Sequence, residues 1–236
     1  MPVSHNPDIP AQLDRVLTEI RNSAVGCGRN PADILLVAVS KTKPLEAILQ
    51  AHAAGQVHFG ENKVQELVPK MEDGPDDAVW HMIGALQSNK VKYMAPRVNW
   101  IHSVPKLKTL KEIEKRAAEF NRVINVLIQI NISEEDQKSG CEPEDLKAIL
   151  EASRGMQHVV IRGLMGMASL EEDPELIRPQ FRLLRELRDL HAENNEGAVQ
   201  LEHLSMGMSG DLDVAIQEGS TMVRVGSALF GARNTE

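Results

Sequence analysis

At 236 residues the chain can bury a sizeable core, either as one large α/β domain or as two small ones. Its 34 acidic against 26 basic residues leave a formal charge of −8, and aromatics make up only 3% of the residues; both features argue against nucleic acid as a partner, which would call for a basic surface or stacked-base platforms. Cys27 and Cys141 lie far apart and outside any CxxC spacing, which excludes a disulfide framework and a zinc site and leaves two reduced thiols.

The N-terminal MPVSHNPDIP has no basic stretch followed by an apolar one, and no apolar segment has the length needed to cross a bilayer; the expectation is a soluble, cytoplasmic protein with no membrane contact. Leu13, Val16, Leu17, Ile20 and Ala24 recur at helical spacing and predict an amphipathic helix that stops near Gly26 and Gly28, so residues 1–30 read as a helical extension ahead of the first strand. Eight β-rich runs follow in order: LLVAVS, VHFG, VWHMIG, VNWIHS, INVLIQIN, VVIRGLMGM, LEHLSMG and MVRVGSALFG. Between them, Leu45 to Ala54, Lys63 to Met71, Lys106 to Phe120 and Glu144 to Ser153 read as helices. In PELIRPQFRLLRELRDLHAENN, Leu176, Phe181, Leu184, Leu187 and Leu190 form the expected apolar stripe, with the Arg and Glu residues facing water. Strands alternating with helices predict a parallel sheet, and eight strands close into a (β/α)8 TIM barrel; a doubly wound open sheet is the alternative. No linker or composition break divides the chain, so residues 1–236 are expected to form a single domain.

In such barrels reactive groups stand at the C-terminal ends of strands. Lys41 stands at the first. Desolvation there disfavours the ammonium, and the neutral amine can form a Schiff base; the alternative is a lysine whose head simply reaches solvent. Lys43, just before Pro44, reads as part of an exposed loop. The seventh and eighth strands end in LSMGMSGD and RVGSALFG, where glycine admits close backbone approach to an anion and serine adds a donor, so Ser205, Gly226 and Ser227 are candidate phosphate holders. Arg224 alternates with Val223 and Val225, and an inward guanidinium there needs an acceptor, which a ring nitrogen would supply. An amine, a phosphate site and a planar donor together point to pyridoxal 5′-phosphate (PLP).

AVSKTKP, FGENKVQE, WHMIGALQSNK, NISEEDQKSG, GLMGMAS, LSMGMSGD and STMVRVGSALFGAR follow one another as do the signatures of the pyridoxal phosphate homeostasis proteins, a PLP-binding family that the chain resembles over nearly its whole length. The resemblance implies a fold like the N-terminal barrel of alanine racemase and an internal aldimine on Lys41. It also implies that Asn62 lies by the cofactor, that Ser205 with Met206 and the Gly226–Ser227 pair hold the phosphate, and that Arg224 faces the pyridine nitrogen. An arginine there keeps the nitrogen unprotonated, because a guanidinium does not surrender its proton, and the ring is then a weaker electron sink. Racemases with this arrangement add a second base from a further domain and a partner subunit. This sequence stops at Glu236 and its single tyrosine, Tyr93, falls in the helix expected after the third strand, so no opposed tyrosine base is expected.

His81, His102 and His203 fall in strand patterns and are expected to be hydrogen-bonded structural residues rather than acids or bases. Met165, Met167, Met206 and Met208 read as packing residues around strand ends. Glu134, Glu135 and Asp136 read as a solvated loop above the barrel mouth that, with Lys138, could influence cofactor entry. The function implied by the resemblance is PLP and amino-acid homeostasis, by a protein expected to be a monomer that carries PLP without a dedicated reaction and has PLP-dependent apo-enzymes as candidate recipients. A PLP-dependent amino-acid racemase is the alternative that shares every contact, and a lysine-dependent aldolase barrel is a second.

Overall fold

Each of the eight apolar runs is a strand, and the strands close into a parallel barrel in chain order: β1 (Leu35–Val39), β2 (His58–Glu61), β3 (Val79–Met82), β4 (Trp100–Val104), β5 (Ile124–Gln129), β6 (Val159–Met165), β7 (Val199–Ser205) and β8 (Met222–Val225). The computed structural model describes residues 7–133, 139–171, 173–193 and 195–231. Closure is made by β1 against β8, with Val37 opposite Arg224 and Ala38 opposite Val225, which removes the open-sheet alternative. The acidic run from Glu134 and the nearby Lys138 lie outside the described residues.

The connections carry the helices: α1 (Ile9–Gly26) before the barrel, then α2 (Leu45–Ala53), α3 (Val64–Asp73), α4 (Val91–Met94), α5 (Leu107–Glu119), α6 (Leu146–Ser153), α7 (Pro174–Ala192), α8 (Leu212–Gln217) and α9 (Ser227–Phe230). Asp8 starts α1 by accepting the Ala11 N–H at 3.1 Å, and the helix buries Ile9, Leu13, Val16, Ile20 and Ala24 against α2, α8 and α9. It thickens the outer ring where α8 and α9 are short. Arg29 then pins the chain to the α8–β8 connection by donating to the carbonyls of Ile216 at 2.7 Å and Ser220 at 2.8 Å. Among the described residues no helix is long and apolar enough to cross a membrane.

Two helix faces differ in part from expectation, and in α1 the difference is Leu17, which is exposed. In α7 the buried residues are Ile177, Phe181 and Leu184, while Leu176 and Leu190 are exposed. At about 100° per residue, positions five before and nine after Phe181 project roughly 140° and 180° away from it, so neither can share its face.

Alternation divides every strand into two environments. Outward residues such as Ala38, Phe59, Trp80, Ile101, Val126, Leu204, Val223 and Val225 join the main apolar core beneath the helices. Inside the barrel, Leu127, Met165 and Met222 form a small apolar cluster with Leu35 and Trp100 beside it. Beside these and the inward Val37 and Val39 the interior carries a polar set: His81, His102, Ser205 and Arg224 are all buried there. Branched aliphatic side chains usually fill this space in such barrels.

Candidate functional site

The first rim of the barrel mouth is built around the residue that precedes Lys41. Ser40 donates its hydroxyl to Glu61 Oε1 at 2.6 Å, donates its N–H to the Gly60 carbonyl at 3.0 Å, and accepts the Lys70 ammonium on its own carbonyl at 2.8 Å. Lys70 Nζ also pairs with Glu61 Oε1 at 2.7 Å. Burial pushes the Glu61 carboxyl up from its ordinary range, opposed by the hydrogen bonds from Lys70 and Ser40. Loss of Lys70 would strand that buried carboxylate, a change that typically costs about 3–5 kcal/mol. After β1 the chain turns sharply: Lys43 N–H returns to the Ser40 carbonyl at 3.0 Å, Thr42 takes a φ of 63°, and its N–H is held by Glu66 Oε2 at 2.7 Å.

Lys41 therefore leaves the barrel wall from a fixed point, on the same inward parity as Val37 and Val39. It is half-buried and lines a cavity of about 490 Å3 at the C-terminal ends of the strands. Lys43 is also half-buried and lines this cavity, so the expectation of an exposed loop residue is corrected. The Thr42 turn folds it back over the mouth instead of releasing it to solvent.

Asn62, immediately after β2, lines the same cavity. The loop after β3 lies directly on it, since a Cβ at Gly84 would stand 2.2 Å from the Asn62 carbonyl oxygen; only glycine permits that approach. Beside the end of β1 stand Gly226 and Ser227, at the junction of β8 and α9. The Ser227 hydroxyl lies 3.4 Å from that of Ser209, which lines the cavity together with Gly210.

Ser205 and Met206, expected at the phosphate, are placed elsewhere. Neither lines the cavity; both are fully buried. The Met206 side chain joins the apolar core, and its N–H is committed to the Met222 carbonyl at 3.2 Å, so it has no donor to offer an anion. The Ser205 hydroxyl is held between Arg224 Nη1 at 2.7 Å and His102 Nδ1 at 2.8 Å. Ser209, which the sequence reading did not single out, lines the cavity from beyond Gly207 with its φ of 93°, where strand alternation no longer orients side chains.

Arg224 forms the cavity floor, and the structure already supplies it with acceptors: Nη1 donates to Ser205 and Nη2 to the Gly166 carbonyl at 3.1 Å. Burial lowers its pKa to about 10, partly opposed by Asp211, so the guanidinium stays charged at neutral pH. His81 and His102 are hydrogen-bonded as expected, and the partner each finds is the other, at 2.9 Å. Met165, Met167 and Met208 line the cavity as apolar wall. Among the described residues, the titratable side chains of that wall are Lys41, Lys43 and Arg224, all basic, which suits an anionic, amine-reactive ligand.

The family model for the alanine racemase N-terminal domain matches residues 23–234. A pyridoxal phosphate homeostasis protein of Aquifex aeolicus is 46% identical over 224 residues, covering 94% of this chain and 97% of that one. The chain belongs to the pyridoxal phosphate homeostasis protein family. Of the solved members, PipY of Synechococcus elongatus with PLP bound superposes with a TM-score of 0.82 at 35% identity, over 94% of this chain and all of that one. Alanine racemase of Clostridium difficile shares the fold, with a TM-score of 0.73 at 16% identity, and this chain covers 57% of its length. The family thus accounts for the whole barrel, and the racemase likeness extends to its architecture alone.

Proposed function

We propose that this protein binds PLP in the cavity at the barrel mouth, held covalently but reversibly by Lys41, and serves the intracellular homeostasis of PLP and amino acids. The observation that carries the reading is the make-up of the cavity wall itself. Its β1 side presents an amine on a rigid support, and its β7–β8 side presents two hydroxyls 3.4 Å apart among glycines. The residues present fit the group: at Gly226 a Cβ would come within 3.2 Å of the Val39 carbonyl, so backbone is brought close to the cavity without a side chain to block it.

When bound, PLP would supply an aldehyde for the Lys41 amine to hold, one water being released, and a ring whose electron demand would depend on protonation of its nitrogen. Lys41 is preferred over Lys43 because it extends the inward parity of β1 and follows the immobilised Ser40. Ser209, Ser227, Gly210 and Gly226 are the proposed phosphate holders, taking the role expected of Ser205 and Met206. Arg224 is the residue offered to the ring nitrogen. As a permanent donor it leaves that nitrogen unprotonated, which favours retention over carbanion chemistry.

The relatives named pyridoxal phosphate homeostasis protein support a carrier or regulator, proposed as a cytoplasmic monomer with PLP-dependent apo-enzymes as recipients. A racemase remains the second reading because Lys43 stands in the cavity, where it could act as an additional base. Visible absorbance of the purified protein with PLP tests the site: Lys41→Ala should abolish the Schiff-base band and leave the barrel folded, whereas Lys43→Ala should retain it. Incubation with L-alanine in deuterated water should give no rapid α-proton exchange. Rapid exchange with racemisation, lost in Lys43→Ala, would favour the enzyme.

A further inference from the structure

Arg224 is the end of a continuous hydrogen-bonded row that crosses the barrel interior. From it the row runs to the Ser205 hydroxyl, to His102 Nδ1, from His102 Nε2 to His81 Nδ1 at 2.9 Å, and from His81 Nε2 to His58 Nδ1 at 3.0 Å. Four strands contribute beside β8: Ser205 ends β7, His102 and His81 are the third residues of β4 and β3, and His58 opens β2. Ser205, His102 and His81 have no solvent exposure, and Trp100 stacks on the His81 ring at 5.8 Å with planes 8° apart. His58, at the other end, is only partly buried.

The chemistry of the ends fixes the direction of the row. A guanidinium can only donate, so Ser205 accepts from Arg224. The one hydroxyl proton then goes to His102 Nδ1, the other atom within hydrogen-bond reach of that oxygen among the described residues. With Nδ1 accepting, a neutral His102 carries its proton on Nε2 and donates it to His81 Nδ1. The same reasoning places the His81 proton on Nε2, donated to His58 Nδ1, and the His58 proton on Nε2. With neutral rings, reversing any one bond alone sets two donors or two acceptors face to face, and reversing the whole histidine row would make Ser205 a double acceptor whose own buried proton has no acceptor among the described residues. The rings must also be neutral, since a second cation beside the buried guanidinium would be repelled at short range. Burial and the neighbouring charges do hold His81 and His102 well below the ordinary histidine range.

We infer that His58, His81, His102 and Ser205 form a one-way relay of hydrogen bonds that positions Arg224 in the cavity floor. The relay uses the one Ser205 hydroxyl proton, the donor an anion would need, which is why that serine is a positioning residue for the arginine and not a ligand for an anion. It also gives a reason for a polar interior where such barrels usually pack aliphatic side chains. The existence of the relay does not depend on PLP. Its effect on the cofactor rests on the reading above, and the two can be tested apart.

Ring nitrogen-15 NMR of histidine-labelled protein without PLP tests the proton arrangement. His58, His81 and His102 should each appear neutral with the proton on Nε2, the signals being assigned through single His→Gln variants. In Ser205→Ala the His102 Nδ1 signal should move towards that of an unbonded acceptor and His81 should shift in step, whereas Ser205→Thr, which keeps the hydroxyl, should restore both. A charged ring, a proton on Nδ1 of His102, or a Ser205→Ala spectrum identical to wild type would overturn the relay. PLP titrated by absorbance then tests positioning: Ser205→Ala should bind about tenfold more weakly, with an altered band, and Ser205→Thr should bind as wild type does. A relay seen by NMR with unchanged PLP affinity and band in Ser205→Ala would overturn its role at Arg224. Failure of the wild-type protein to bind PLP would instead overturn the functional reading and leave the relay standing.

Discussion

Ile101 and His102 are adjacent in β4, both without solvent exposure, yet they belong to different molecules in a physical sense. Ile101 faces the helices and shares an apolar core with Phe59, Trp80, Leu204 and Val223, whereas His102 faces the barrel axis and is bonded to Ser205 and His81. The outer face is held by area removed from water, which is tolerant of detail, and the inner face by directional bonds, which are not. Stability and cofactor chemistry are thereby placed on opposite sides of the same eight strands, so a substitution on one face should leave the property of the other largely intact.

The sharpest break should come on the outer face. Ile101→Ala is expected to lower unfolding stability by about 2–5 kcal/mol through lost burial and the cavity left behind, while PLP still binds with unchanged stoichiometry at temperatures where the variant is folded. Urea unfolding and a PLP titration on the same sample measure both. Loss of binding in the fully folded variant would show that the faces are not separable.

A smaller effect should come from the inner face through pH. Histidines held below their ordinary range in the folded state take up protons near pH 6.5 only when the chain is unfolded, so their contribution is intact above about pH 6.5 and is lost as pH falls towards the depressed folded value. Each fully suppressed histidine contributes a slope of up to about 1.4 kcal/mol per pH unit in that window. Glu61, shifted upwards, has the opposite sign: its contribution is present at low pH and lost as pH rises through its folded value, so it offsets part of the acid loss. The urea midpoint should be lower at about pH 5.5 than at about pH 7.5, and the double variant His81→Gln/His102→Gln should reduce the difference; equal slopes in the two proteins would mean that these rings do not titrate differently on unfolding.

Smallest in free energy, and confined to binding, is the expected effect of the cavity serines. Ser209→Ala and Ser227→Ala should each weaken PLP by roughly tenfold, about 1–2 kcal/mol for a lost bond to a charged group, with no change in urea midpoint. An unaffected affinity in Ser209→Ala would return the phosphate to other groups of the rim.

How much of this could be read from the chain follows from the same division. Buried parallel strands are short apolar runs, so all eight were legible, and its place at the end of the first run singled out Lys41. Parity turned Arg224 inward, but not its partners: that Ser205 and His102 meet there depends on strands far apart in sequence closing on one axis. Beyond the strand ends the periodic signal stops. Ser209 and Lys43 reach the cavity through turns at Gly207 and Thr42, both with positive φ, and no spacing rule predicts where such turns aim a side chain. Leu176 and Leu190 misled for a different reason, since apolar residues were grouped by identity when helical angle alone assigns a face.

The central claim is that one lysine of two in the cavity anchors the cofactor. Borohydride reduction of the PLP-loaded protein, followed by peptide mass spectrometry, reads it directly. The reduced pyridoxyl group should map to Lys41 with Lys43 unmodified; a label on Lys43, or an even division between the two, would contradict the account.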